Sequence, residues 1–196
     1  MQATELAIIR VSLESANQEL DDLRDAYKRL SEIDELTRLG NRRKFEMELS
    51  RGVALASRLN LPLSLMMLDI DHFKAVNDLH GHEAGDQYLA TLGRILAGAV
   101  RKGEDFATRF GGEEFALLLS NTSIEGALIL GERIRSETES LRLPNSGAPT
   151  GIVTVSIGIA VLMPGQPGAA KTLVARADRA LYRARRAGRN RTLAEG

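Results

Sequence analysis

Gly111-Gly112-Glu113-Glu114-Phe115 sets two glycines and two carboxylates between apolar runs. The flanks, Phe106-Ala107-Thr108-Arg109-Phe110 and Phe115-Ala116-Leu117-Leu118-Leu119, have strand character. A Gly-Gly pair between two such runs predicts a tight β-hairpin, with Glu113 and Glu114 at its tip or just beyond it. Taken alone, the segment more readily describes an exposed turn with solvated charges. A second acidic cluster shifts that balance. Leu63-Ser64-Leu65-Met66-Met67-Leu68 is a continuous apolar run that reads as a buried central strand, and it leads directly into Asp69-Ile70-Asp71. Carboxylates at the end of a buried strand are costly unless they are paired or bound to a cation. If the hairpin lies beside this strand, Asp69 and Glu113 converge on one ion. Hard oxygen ligands favour Mg²⁺, which takes one or two carboxylates and completes its shell with waters and substrate phosphates. The chemistry indicated is that of nucleotides.

The elements that must position these groups alternate from residue 34 onward. Asn41 is a candidate N-cap for a helix running to about Leu59, and Pro62 separates that helix from the buried strand. Asp71 to Asp78 reads as a short helix or loop that turns Phe73 and Val76 inward. Leu89, Leu92, Ile95, Leu96, Ala99 and Val100 recur at helical spacing, with a stop at Gly103. After the hairpin, Thr122 and Glu125 form a candidate capping box for a helix to about Arg142. Pro144 to Pro149 is a loop. Val153, Val155, Ile157 and Ile159 alternate as in a strand, and a last amphipathic helix carries Leu173, Val174, Ala177, Ala180 and Leu181 up to Gly188. The pattern predicts an α+β sandwich with a largely antiparallel sheet.

The first 33 residues differ in kind. Leu6, Ile9, Leu13, Ala16, Leu20, Leu23, Tyr27 and Leu30 alternate in steps of three and four, with no Gly or Pro between them. This is a heptad seam, and a helix of that length would extend about 45 Å. It predicts a parallel two-stranded coiled coil over 1–33, acting as a dimerising stalk at the lower end of a longer signalling protein. An amphipathic helix packed on its own domain is the alternative.

Composition sets looser bounds. The 196 residues accommodate one domain of about 150 to 160 residues plus an extension. Lys plus Arg and Asp plus Glu each number 26, so the net charge is zero and nothing suggests a nucleic-acid partner. There is no cysteine, which excludes disulfides and thiolate metal sites and suits a reducing, cytoplasmic setting. No apolar run reaches the roughly 18 residues of a spanning helix, so no membrane association is expected of this segment. His80 and His82 flank Gly81 in what reads as a structural turn, and His72 as partly packed, none of them as metal ligands.

Several motifs occur in register: Asp34-Glu35-Leu36-Thr37 with Asn41-Arg42-Arg43; Asp69-Ile70-Asp71-His72-Phe73-Lys74 with Asn77-Asp78; and Gly81-His82 with Gly85-Asp86. After Gly111 to Phe115 come Val155-Ser156-Ile157-Gly158, Ala177-Asp178 with Ala180-Leu181-Tyr182, and Gly188-Arg189-Asn190. Together, over residues 34 to 192, they resemble a GGDEF-family diguanylate cyclase. The resemblance implies a central five-stranded, mostly antiparallel sheet flanked by helices, leaving 193–196 as a C-terminal tail.

It also implies a reaction, the joining of two GTP into cyclic di-GMP with release of two pyrophosphates. Each domain would hold one GTP, so a homodimer would complete the active site. By the same resemblance Asp69, Glu113 and the backbone of Ile70 would hold two Mg²⁺ per half-site, with Mn²⁺ as a substitute. Asp69, Glu113 and Glu114 would form the catalytic set, Glu114 as a further metal contact or in deprotonating the attacking hydroxyl. Asn77 and Asp86 would read guanine, and Phe73, Lys74, Arg185 and Arg189 would bind phosphate, with Arg185 standing where lysine is usual. Arg109, two residues before the glycines, could reach phosphate or a carboxylate. Gly111 and Gly112 would let the backbone approach the nucleotide. An upstream sensor domain would supply the input. The alternative is a silent module that binds GTP or cyclic di-GMP as a regulatory or effector domain.

Two departures accompany the resemblance. Lys102-Gly103-Glu104-Asp105 stands where relatives carry an Arg-x-x-Asp product-inhibition site, with Arg101 one place too early. Arg38 and Gly40 stand where Gly and Pro are usual, at the junction with the stalk.

Overall fold

Eight residues, Leu63–Ile70, form β1, and all of them are buried. The computed structural model of the chain describes residues 10, 13, 17–20, 31–163 and 170–195. The chain divides into Met1–Glu32 and Ile33–Gly196. In the first unit the described residues 10, 13 and 17–20 are helical, and Leu13 and Leu20 are exposed in the single chain. The other positions of the heptad seam, and with them the coiled-coil reading of 1–33, lie outside the described residues.

In the second unit α1 (Arg42–Leu59) precedes β1 and α2 (Phe73–Ala99) follows it. β2 (Phe106–Gly111) and β3 (Glu114–Ser120) form the hairpin, followed by α3 (Ile124–Ser140), β4 (Val155–Leu162), α4 (Ala170–Arg186) and β5 (Thr192–Glu195). The sheet order is β2-β3-β1-β4-β5. β1 pairs antiparallel with β3 and with β4, and β5 joins β4 in parallel at the edge of the sheet. Because strand side chains alternate, β1 feeds two cores. Met66, Leu68 and Ile70 pack with Phe73, Val76 and Leu89 of α2 and Ile134 of α3. Leu65 and Met67 pack with Phe45 and Leu49 of α1 and Leu173, Ala177 and Leu181 of α4. A sheet covered on both faces explains why β1 and β4 lack polar alternation.

Local chemistry sets the boundaries. Asn41 caps α1, its side-chain oxygen accepting from the Lys44 N–H at 3.1 Å. Ser123 caps α3 by accepting from the Gly126 N–H, so the Thr122–Glu125 capping box is replaced by a cap one residue later. The segment 71–78, read as a short helix or loop, is a turn at 71–72 and then a short helix from Phe73; non-helical backbone at Gly81 (φ 80°, ψ 164°) divides it from the second helical stretch of α2, which stops at Ala99, four residues short of Gly103. The residues read as a tail, 193–195, instead pair with Gly158, Ile159 and Ala160 of β4 as the fifth strand. Arg176 and Arg183 of α4 donate to the carbonyls of Glu195 and Ala194, and Arg179 pairs with the Glu195 carboxylate. These contacts hold a strand too short and too polar to announce itself.

The departure at Arg38 is absorbed locally. Arg38 takes the left-handed conformation (φ 61°) that glycine adopts without strain. The turn around it is closed by Asp34, whose carboxylate accepts from the Thr37 N–H and hydroxyl at 2.9 and 2.7 Å. Among the described residues no helix is long and apolar enough to cross a membrane.

Candidate active site

Period-two alternation places Asp69 on the α1/α4 face of the sheet, after Leu65 and Met67, at only 3% exposure. The β1–β3 register puts Glu114 opposite Asp69. The hairpin closes through a Gly111–Glu114 pair, leaving Gly112 and Glu113 as its two-residue tip. Gly112 is at φ 53°, and a Cβ there would meet open space. The tip is fixed to the strand end by the Ile70 N–H, which donates to the Glu113 carbonyl at 3.4 Å. Asp69, Glu113 and Glu114 are therefore gathered by backbone pairing at one end of the sheet.

Arg185 of α4 completes this cluster, its guanidinium 3.2 Å from the Asp69 carboxylate. Burial pushes the Asp69 carboxyl up to about 7; Arg185 pulls it down, and Glu113, Glu114 and Asp71 push it further up. The apparent surplus of acid at this point is an unmet demand for positive charge. Asp71, two residues on, is a different case. Its carboxylate is 1% exposed and accepts from Ser156 Oγ at 2.6 Å, Thr154 Oγ1 at 2.8 Å and the Asn190 N–H at 3.0 Å, which leaves it committed to structure. Among the described residues no three His, Cys, Asp or Glu side chains converge tightly enough to enclose a metal unaided. The donor set fits a cation bound by few carboxylates and completed by phosphate and water, the habit of Mg²⁺.

A cavity of about 300 Å³ opens beside the hairpin tip, lined by Lys74, Asn77, His82, Asp86, Arg109 and Glu113 among others. The break at Gly81 allows both halves of α2 to face it. Gly85 leaves room for this arrangement, because a Cβ there would overlap the side-chain oxygen of Asn77 and displace its amide. At the start of α2, His72 is in the left-handed region (φ 56°) and provides no side-chain cap, so the first-turn N–H groups, Phe73 and Lys74 included, have no side-chain acceptor there. The structure thus unites Lys74, Asn77, Asp86, Gly112 and Glu113 around one cavity and places Asp69 with Arg185. Arg189 lies in the turn after α4 at φ 63°, its N–H bonded to the Ala184 carbonyl. Lys102 is exposed, and Asp105 is buried away from the cavity.

Sequence reasoning passed over His82 as a cavity residue. It lies one helical turn before Asp86, and that i, i+4 spacing was the available signal. Arg109, open in the sequence between phosphate and a carboxylate, takes the carboxylate. It donates to the Gly112 carbonyl at 2.8 Å and pairs with Asp34 at 3.3 Å, which fastens the hairpin tip to the turn that opens the domain.

The family model described as "Diguanylate cyclase, GGDEF domain" matches residues 31–191. The chain is 45% identical over 161 residues to the diguanylate cyclase DgcP of Pseudomonas aeruginosa, covering 81% of this chain and 23% of that protein. It is 33% identical, with a TM-score of 0.77, to the crystal structure of the coiled coil and GGDEF domain of DgcB from Caulobacter crescentus in complex with c-di-GMP, covering 95% of this chain and 99% of that one. The active GGEEF domain of a diguanylate cyclase from Vibrio cholerae is 36% identical with a TM-score of 0.70, over 80% of this chain and 97% of that one. The chain spans between about a quarter and a half of the length of the curated relatives it matches. On this match, and with the hairpin and cavity placed as described, the chain belongs to the GGDEF family of diguanylate cyclase domains.

Proposed function

We propose that the chain is an active diguanylate cyclase, condensing two GTP into cyclic di-GMP and two pyrophosphates across a homodimer with one GTP per half-site. The observation that carries this reading is the buried Asp69 beside the Glu113 tip, next to a cavity walled by Asn77 and Asp86. Asp86 accepts from the N1–H and the exocyclic amine of guanine, a donor pair adenine lacks, and Asn77 supplies a complementary amide. The free N–H groups at Phe73 and Lys74, the Lys74 ammonium, Arg185 and Arg189 take the triphosphate. Asp69, Glu113 and the Ile70 carbonyl would hold the Mg²⁺ ions, or Mn²⁺ in their place, and Glu114 stands ready as a further ligand or as the group that takes the hydroxyl proton.

Bound metal supplies Lewis-acid polarisation of the α-phosphoryl group and lowers the pKa of the attacking hydroxyl. In each of the two steps a 3′-oxygen forms a bond to the α-phosphorus of the other nucleotide, the bond to pyrophosphate breaks and pyrophosphate departs, and the hydroxyl proton passes to Glu114 or to solvent water. Two copies must face each other for this, and the heptad seam of 1–33 is the proposed means of pairing them, with the input coming from a sensor domain upstream. The Vibrio cholerae relative, described as active with a GGEEF sequence, supports Glu113 as competent at its position. Incubation with GTP and Mg²⁺ should yield cyclic di-GMP and pyrophosphate, and the Glu113→Ala variant should yield neither. GTP binding without pyrophosphate release from the unaltered chain would instead identify a silent module.

Product inhibition through Lys102 and Asp105 should be weak or absent. Asp105 is already occupied: Arg101 donates Nε and Nη2 to it at 2.8 Å each, and the Ser120 N–H donates at 3.0 Å. Lys102 lacks the planar fork that grips a guanine edge and a phosphate together. Added cyclic di-GMP is expected to leave the initial rate unchanged, and submicromolar inhibition that Lys102→Ala removes would contradict this.

A further inference from the structure

We propose that Asn190 is a positioning residue for the triphosphate, holding Arg189 in place through a hydrogen-bonded bridge from Asp71 at the end of β1 to Glu139 and Arg135 on α3. The inference rests on the cyclase reading above and adds to it a residue that the reading does not use. Gly188, Arg189 and Asn190 are three consecutive residues at positive φ, 111°, 63° and 45°. For the two that are not glycine this conformation costs about 1–2 kcal/mol each, so a free chain would not keep the turn.

What keeps it is contact from both sides. The Asn190 N–H donates to Asp71 Oδ2 at 3.0 Å, while Ser156 and Thr154 hold the same carboxylate from the start of β4 and the segment leading into it. The Asn190 side chain donates from Nδ2 to Glu139 Oε1 at 2.7 Å and accepts from Arg135 Nη1 at 2.9 Å, and Arg135 also pairs with Glu139 at 2.7 Å. Both hydrogen-bonding ends of the amide are used, which a side chain without its donor and acceptor cannot reproduce. Asp71 is two residues beyond Asp69, and Arg185 at the end of α4 is already on Asp69. The bridge therefore fixes the Arg189 backbone in the same frame as the carboxylate that would hold metal. A misplaced cation binds a triphosphate with less of its intrinsic strength, so loss of the bridge should appear as weaker nucleotide binding.

The experiment is equilibrium binding of a non-hydrolysable GTP analogue with Mg²⁺ to the full chain, its Asn190→Gly and Arg189→Ala variants, and the double variant, with thermal melting in parallel. Glycine keeps the left-handed backbone and the N–H to Asp71 while removing the amide. Asn190→Gly is expected to weaken binding by about tenfold, and Arg189→Ala at least as much. The double variant should bind like Arg189→Ala alone, because Asn190 acts through Arg189. Glu139→Ala cuts the same bridge from α3, outside the cavity, and should weaken binding in the same direction if Asn190→Gly does not fold. Additive losses, or a variant that melts lower yet binds the analogue within about twofold of the parent, would reduce Asn190 to a purely structural role. Absence of analogue binding by the unaltered chain would remove the cyclase reading, and this inference with it. Intact parent binding with additive losses removes the inference alone.

Discussion

Asp69→Asn is expected to abolish cyclic di-GMP formation, by about a thousandfold or more, in a protein that stays folded and is no less stable above pH 7. The substitution is nearly isosteric and exchanges a carboxylate for a neutral amide that is a poor Mg²⁺ ligand. The stability half of the expectation follows from burial. The folded carboxyl is pushed up to about 7 against an ordinary value of 3.8, chiefly because burial disfavours its anion. The unfolded chain therefore releases this proton at lower pH than the folded one. Between about pH 4 and pH 7 the folded state binds more protons, so stability from this group falls as pH rises and levels off above about 7. Without metal, a neutral amide at this position removes that decline. Arg185 keeps much of its exposure and can return to water when its partner is neutral. Melting temperatures of the metal-free parent and the variant should diverge as pH rises from 5 to 8, in favour of the variant, while cyclic di-GMP output collapses. Near-normal turnover would remove Asp69 from the metal site, and parallel melting curves would remove the burial argument.

The same residue shows what could be read from the sequence and what could not. The continuous apolar run before Asp69 was a local signal, as were the Gly-Gly hairpin and the Asn41 cap, because each depends on neighbours a few residues away. The partnership of Asp69 with Arg185 spans 116 positions and depends on how α4 lies on the sheet, which no window of sequence contains. Asp71 is only two residues beyond Asp69, yet it lies in the turn after β1 has ended, where Thr154, Ser156 and the Asn190 N–H take its carboxylate. β5 escaped because four half-buried residues have no periodicity of their own, and arginines from α4 hold them in place. In each case tertiary packing overrode or completed a weak local preference. Where the motifs resembled a known family, the resemblance supplied what the local pattern could not, including the pairing of Asn77 with Asp86 around one cavity.

Gly158→Ala is expected to be among the most destabilising single-methyl changes available in this fold. Gly158 lies in β4, buried on both faces, against α4. A Cβ at this position would fall on the backbone of that helix, 2.6 Å from Leu181 Cα and closer still to the Leu181 nitrogen and the Ala177 carbonyl oxygen. Overpacking usually costs about 1–3 kcal/mol when side chains can shift. Here the obstruction is helix backbone, which cannot rotate away, so the upper end of that range applies and corresponds to a fall in Tm of about 6–12 °C. To relieve the clash α4 must move off the sheet, and α4 carries Arg185 to Asp69. The surviving folded protein should therefore also lose the 3.2 Å ion pair at the candidate metal site and with it part of its GTP affinity. Gly98→Ala tests whether the effect belongs to the contact and not to glycine replacement in general. Gly98 is helical, and a Cβ there meets nothing within 4 Å, so alanine should stabilise α2 by about 0.5–1 kcal/mol. Opposite signs for the same chemical change would locate the constraint in the close approach of α4 to β4. A small cost at Gly158, equal to that at Gly98, would mean that α4 is not held against the sheet closely enough to fix Arg185.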